Sequence, residues 1–228
     1  MTPSCRIFAV LTIALGSFVA GNASTISLGS YATTASNPGF DNTATSYMPG
    51  SSTVNNGSAT TYDISSGTVW HAPLGASSYV SYNAGTGAAL STVAPNGDYF
   101  YSSIFTLPSK TSGGPYVGSL TVLADDTLAV YLNGVQILAA AGPMGAGNSY
   151  VHCSDWGPNC VTPFTFSFGG ILNGENVLTF DVKQVNGYNE GLDYAGLVTS
   201  VPEPSSLALF GTGMFGIVGL IRRFNFKK

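Results

Sequence analysis

The sequence predicts an all-β protein, an antiparallel β-sandwich with a short apolar address at each end. Three observations predict it. Between residues 24 and 200 no long segment repeats at the helical period of 3.6. Short runs of alternating apolar and polar residues recur instead, punctuated by the 29 Gly and 12 Pro of the chain. Charged residues make up only 8% of the 228 residues, too few for solvated helices or a coiled coil. Aromatic residues reach 12%, which supplies a core and excludes compositional disorder.

The first element is an address. Arg6 precedes an apolar run from Ile7 to Ala20, and Gly21-Asn22-Ala23 places small residues at the −3 and −1 positions of a cut after Ala23. This is the three-part pattern of a secretory signal peptide, residues 1–23. Its apolar run is shorter than the roughly 20 residues that span a bilayer. Cys5 lies before that run, not after it, which disfavours a lipoprotein signal.

The body, residues 24–200, is expected to be one sandwich domain. Thr25 to Tyr31 reads as a first strand, and the Ser-, Thr-, Asn- and Gly-rich residues 32–60 read as surface loops. Thr68 to Pro73 and Ser78 to Tyr82 are the next strand candidates, with Trp70 a core residue. Asp98 to Leu107 is aromatic and β-branched, bounded by Pro-Asn-Gly and Pro108. Leu120 and Val122 alternate with polar neighbours; Leu128, Val130 and Leu132 do so again before an Asn133-Gly134 turn and a return strand, Val135 to Leu138. Leu172 to Glu175 reads as a turn. Leu178, Phe180 and Val182 share one strand face, and Tyr194 to Val198 closes the series.

The body carries ten acidic side chains against Lys110 and Lys183, a balance of −8, whereas the whole chain is −4. Such a surface repels nucleic acid and anionic lipid, so no nucleic-acid partner is expected.

The C-terminus, residues 201–228, is a second address. Val201-Pro202-Glu203-Pro204 is followed by an uncharged segment, Ser205 to Ile221, and then by Arg222, Arg223, Lys227 and Lys228. Seventeen residues make about 26 Å of helix. That suffices for a single transmembrane helix with snorkelling ends. The basic residues place its end in the cytoplasm and the body outside. This tail resembles the PEP-CTERM sorting signal of Gram-negative bacteria. The resemblance implies an exosortase as partner, a membrane-anchored intermediate, and a final place on the cell surface or in the extracellular matrix beside exopolysaccharide. The two prolines keep the motif extended and open to a processing enzyme.

A second resemblance rests on Ala124 to Gly134, with its Asp125-Asp126 pair and Asn-Gly turn, and on Leu172 to Val182. These are similar to the galactose-binding-like jelly roll, which implies a jelly-roll body. That sandwich type frequently holds a structural calcium ion; no ligands are assigned to one here, and no other cofactor is expected. Taken by themselves, Asp125 and Asp126 are expected to shape the turn before Leu128 through side-chain bonds to the backbone.

Cys153 and Cys160 survive signal cleavage. In an oxidising compartment such a pair is expected to form a disulfide, contributing about 2.5 kcal/mol in the chain-entropy model. A metal site with His152 is the alternative. The search for catalytic groups yields little: two histidines, His71 and His152, and no Gly-x-Ser-x-Gly elbow. No catalytic residue or metal ligand is assigned. The expected role is therefore non-catalytic, structural or adhesive. The alternative is a carbohydrate-binding module, with glycan contacts at Trp156, Asp155, Asn159, Tyr188 and Asn189. A glycan or ester hydrolase is the more distant alternative.

Overall fold

The computed structural model describes residues 24–36, 38–54, 57–108, 115–140, 157–185 and 187–201. Its strands are β1 (Thr25–Gly29), β2 (Ser46–Tyr47), β3 (Tyr62–Ile64), β4 (Tyr79–Ser81), β5 (Gly97–Leu107), β6 (Tyr116–Asp125), β7 (Thr127–Leu132), β8 (Val135–Leu138), β9 (Phe164–Phe168), β10 (Gly174–Gln184) and β11 (Gly191–Ser200). One sheet runs β3-β4-β11-β6-β9, with β1 also paired to β11; the other runs β2-β5-β10-β7-β8. All pairings between these strands are antiparallel. From β4 onward the chain changes sheet at every step except the β7–β8 hairpin, which is the double Greek key of a jelly roll.

Strand periodicity makes the core. In β5 the alternate residues Tyr99, Tyr101, Phe105 and Leu107 are buried, and in β10 Leu178, Phe180 and Val182. They meet Leu120, Val122, Leu192, Tyr194 and Val198 of the other sheet. Phe180 and Tyr194 stack across the interior with ring centroids 4.3 Å apart. Gly118 is required by packing, because a Cβ there would lie 2.1 Å from the Phe168 ring. The Asn133-Gly134 turn forms as the sequence predicts, both residues having positive φ (51° and 79°).

Three expectations change. Residues 68–73 form a turn and a loop, not a strand. The Trp70 N–H bonds the Ser66 carbonyl and that of His71 bonds Cys160, so this segment folds over the outer face of the first sheet. Trp70 is buried there against Ile64, Tyr79, Leu123 and Cys160, in a second cluster outside the sandwich interior. Residues 32–60 are not all surface: Tyr47, Thr45 and Asn42 are buried. The Asn42 amide takes part in five hydrogen bonds, among them to Ser103 Oγ (2.9 Å) and both backbone groups of Gly29. Polar composition signals the surface only where its hydrogen bonds go to water. Third, Phe164–Phe168 is a strand that no expectation included.

Candidate functional site

Four buried carboxylates gather at one end of the sandwich, around the point where β6 hands over to β7. Asp125 ends β6 and is paired with Gly191, the first residue of β11. Asp126 links it to β7 through a cis peptide bond. Glu190 immediately precedes β11, and Asp193 lies within it. All four are essentially inaccessible to solvent.

Two of them are fully provided for. Asp193 Oδ1 accepts from Ser30 Oγ (2.8 Å) and Ser77 Oγ (2.6 Å), and Oδ2 accepts from the Leu74 N–H (2.9 Å). Burial raises its pKa, and these donors pull it back. Glu190 accepts from Tyr101 OH at 2.8 and 3.0 Å and from Ser81 Oγ. Burial pushes its pKa up to about 8, against the lowering effect of both hydroxyls.

The Asp125–Asp126 pair is different. Asp126 Oδ2 accepts the Val185 N–H at 2.6 Å, and its own N–H bonds the Lys183 carbonyl at 2.9 Å. Its side chain thus ties β7 to the end of β10, distant in sequence, and does not merely shape its own turn. The Asp125 carboxyl receives the Trp70 indole N–H and shares a hydrogen bond with the Asp126 carboxyl, while its Oδ2 is buried with no hydrogen-bond partner. Burial, then the neighbouring Asp126 carboxylate, then Glu190 hold Asp125 well above the usual carboxylate range. At the same end, both amide atoms of Asn189 and Oε1 of Gln184 are also buried and without hydrogen-bond partners.

The residues expected to touch glycan are placed as follows. Asn159 Oδ1 accepts from the N–H groups of Val161 and Thr162, both at 3.0 Å, so its carbonyl closes its own loop. Tyr188 is half-buried, and its carbonyl accepts the Ala94 N–H at 2.8 Å. Asn189 is only 1% exposed, so its amide faces protein and not solvent. Cys160 is buried under Tyr79 and Trp70. Val201 follows β11 and is 37% exposed. Ala23, Cys153, Asp155, Trp156, Pro202, Glu203, Pro204, Arg222, Arg223, Lys227 and Lys228 lie outside the described residues.

His71 is exposed, its Nδ1 2.6 Å from the Ala72 carbonyl oxygen. Among the described residues, no three His, Cys, Asp or Glu side chains form a group that could hold a metal ion. No helix among them is long and apolar enough to cross a membrane.

These observations define a class: an antiparallel jelly-roll sandwich with a buried acidic corner. The chain also matches the PEP-CTERM protein-sorting motif over residues 200–223. No curated protein matches it. Among solved structures it is similar to a family 35 carbohydrate-binding module from Clostridium thermocellum, at 15% identity and a TM-score of 0.33, covering 68% of this chain and 98% of the module. It is also similar to a β-glucosidase from Kluyveromyces marxianus solved with glucose, at 13% identity and a TM-score of 0.29, covering 46% of this chain and 11% of the enzyme. At these scores neither likeness bears on function.

Proposed function

We propose that this protein is exported, sorted by an exosortase through its C-terminal tail, and works as a non-catalytic structural or adhesive component at the cell surface or in the matrix beside exopolysaccharide. The observation that supports this reading is where the sorting motif begins. It starts at Ser200, the last residue of β11. That strand is central in its sheet, paired with β6 along its whole length and with β1 and β4 on the other side. The Val201 N–H is held by the Pro115 carbonyl at 2.9 Å, which fixes the exit of the chain. A body attached through a central strand transmits a pull along a laterally bonded ladder, and no loop has to bear it. The carboxylates at the acidic corner are buried, an arrangement suited to holding a fold and not to presenting an acid–base pair to substrate.

The test replaces Pro202, Glu203 and Pro204 by alanine. An unprocessed, membrane-held protein is expected in fractionated cells, and unchanged processing rejects the sorting assignment.

A second reading, glycan binding through Trp156 and Tyr188, is favoured by the half-exposed position of Tyr188 at the sandwich end. Binding on a glycan array that Trp156→Ala abolishes would establish it. Within either reading, the Cys153–Cys160 disulfide is retained as a proposal, supported by the full burial of Cys160. Peptide mass mapping without reductant should find the two cysteines linked.

A further inference from the structure

A hydrogen bond between two carboxyl groups needs a proton, because ionised carboxylates are acceptors only. Asp125 and Asp126 share such a bond. They are 1% and 0% exposed, so bulk water does not separate them. Their other contacts bring donors to them: the Trp70 indole N–H to Asp125, and the Val185 N–H to Asp126 Oδ2 at 2.6 Å. No group donates to Asp125 Oδ2, as expected of an oxygen that itself carries the proton. Among the described residues, the groups around the pair offer no positive charge in its place. Glu190, just before β11, is a third acid, and Tyr79 of β4 is a phenol that burial keeps neutral. Asp193 of β11 is held by its own donors. His71, next to Trp70, is exposed and acts on Asp193; Lys183 of β10 is exposed and acts on Asp181. Two buried carboxylates with no base beside them repel each other and lose hydration, whereas a carboxylic acid donates to its neighbour.

We propose that Asp125 and Asp126 share a single proton in the folded body, and that this proton holds the acidic corner together and makes the protein sensitive to alkaline surroundings. Its place in the fold gives it reach. Asp125 ends β6 in the first sheet and holds, through Trp70, the segment that covers the outer face of that sheet. Asp126 leads into β7 in the second sheet; its carboxyl holds the Val185 N–H beyond the end of β10, and its own N–H bonds the Lys183 carbonyl. One proton thus stands between two clamps, one on each sheet. Folding draws it from solvent, since both aspartates of an unfolded chain are ionised above about pH 5. Its removal leaves two like charges in contact and loosens both clamps. A proton held more tightly in the fold than in the unfolded chain stabilises the fold in mild acid, and that contribution is lost as pH rises. Glu190, which burial pushes up to about 8, acts in the same direction, so the pair is told apart by a variant of its own.

The test labels the aspartate carboxyl carbons of the protein with ¹³C, assigns them through the backbone, and follows them by NMR from about pH 4 to about pH 10. One carboxyl of the pair is expected to keep its proton at about pH 7, where a solvated aspartate is ionised. The two should titrate as a coupled unit. In Asp125→Asn the amide supplies the N–H to Asp126, which should then be ionised at about pH 7. Thermal unfolding gives the second readout. Between about pH 5 and about pH 9 the wild-type Tm should fall at least about 3 °C further than that of Asp125→Asn. Two ionised carboxyls in the folded wild type at neutral pH overturn the proposal, and so does a Tm profile that Asp125→Asn leaves unchanged. The wild-type NMR titration decides the matter even where the variant folds poorly. None of these readouts depends on tail processing, so the outcome is independent of the sorting assignment.

Discussion

Asp193 and Asp125 lie on neighbouring strands, β11 and β6, and both are covered by the segment that carries Trp70 and Leu74. Their surroundings are opposite. Asp193 has three donors from two segments, Ser30 and Leu74 to Ser77, and so staples the covering loop to the sheet. Asp125 has the Trp70 indole N–H, a second carboxyl beside it with which it shares a hydrogen bond, and an Oδ2 with no donor of its own. Burial is the same in the two cases, but satisfaction is not. A buried carboxylate with its donors in place is a structural clamp; one beside a second carboxylate carries a burial cost that its neighbours offset less well.

The largest effect should come from removing the clamp. Asp193→Ala leaves the Leu74 N–H without its acceptor and takes from Ser30 and Ser77 one of the acceptors of each hydroxyl, and should cost about 3–5 kcal/mol in urea unfolding. A loss below about 1 kcal/mol would show that the three bonds are weak in solution. Trp70→Ala should come next, at about 3 kcal/mol, since it opens the second cluster and also frees Asp125. Unlike the first change, it should expose the corner to solvent, which faster amide exchange at Leu123 and Cys160 would report.

Asp125→Asn should have the opposite sign. It replaces a carboxyl that burial and the neighbouring Asp126 disfavour in its charged form by a neutral isostere, and stability should rise by about 1 kcal/mol. A marked loss would mean that the two acids are alike after all. The smallest effect concerns Asp181, which burial and then Asp98 push up to about 6. An acid raised in this way stabilises the fold while protonated. Its contribution is full below about pH 4 and is lost as pH rises through 6. Asp181 is partly solvated, so the change should stay under about 1 kcal/mol. Asp181→Asn should flatten the stability profile between pH 4 and 6; an unaltered profile would assign that slope to another group.

Much of the fold was legible because strand alternation is a local signal. Asp98 to Leu107 reads as a strand from its aromatic and β-branched pattern, and it forms one from Gly97 to Leu107. Phe164-Thr165-Phe166-Ser167-Phe168 carried the same alternation and could have been found by the same rule. Trp70 was misplaced for a different reason. Thr68-Val69-Trp70 has strand-forming side chains, but the available surface was the outer face of a sheet already complete, so tertiary packing overrode propensity. Asn189 looked like a surface amide because it sits between Tyr188 and Glu190 in a polar loop; in the fold it is buried, its neighbours tied by backbone bonds to Ala94 and Thr86, far away in the chain.

From the chain alone came the sheet-rich architecture, the acidic body and the sorting tail, because each rests on composition, on period-2 patterning, or on a contiguous motif read within a few residues. Tertiary structure alone decided which acids are clamped and which are crowded together. That choice depends on contacts between residues far apart in the chain, and no spacing in the sequence encodes which donors will reach a buried oxygen.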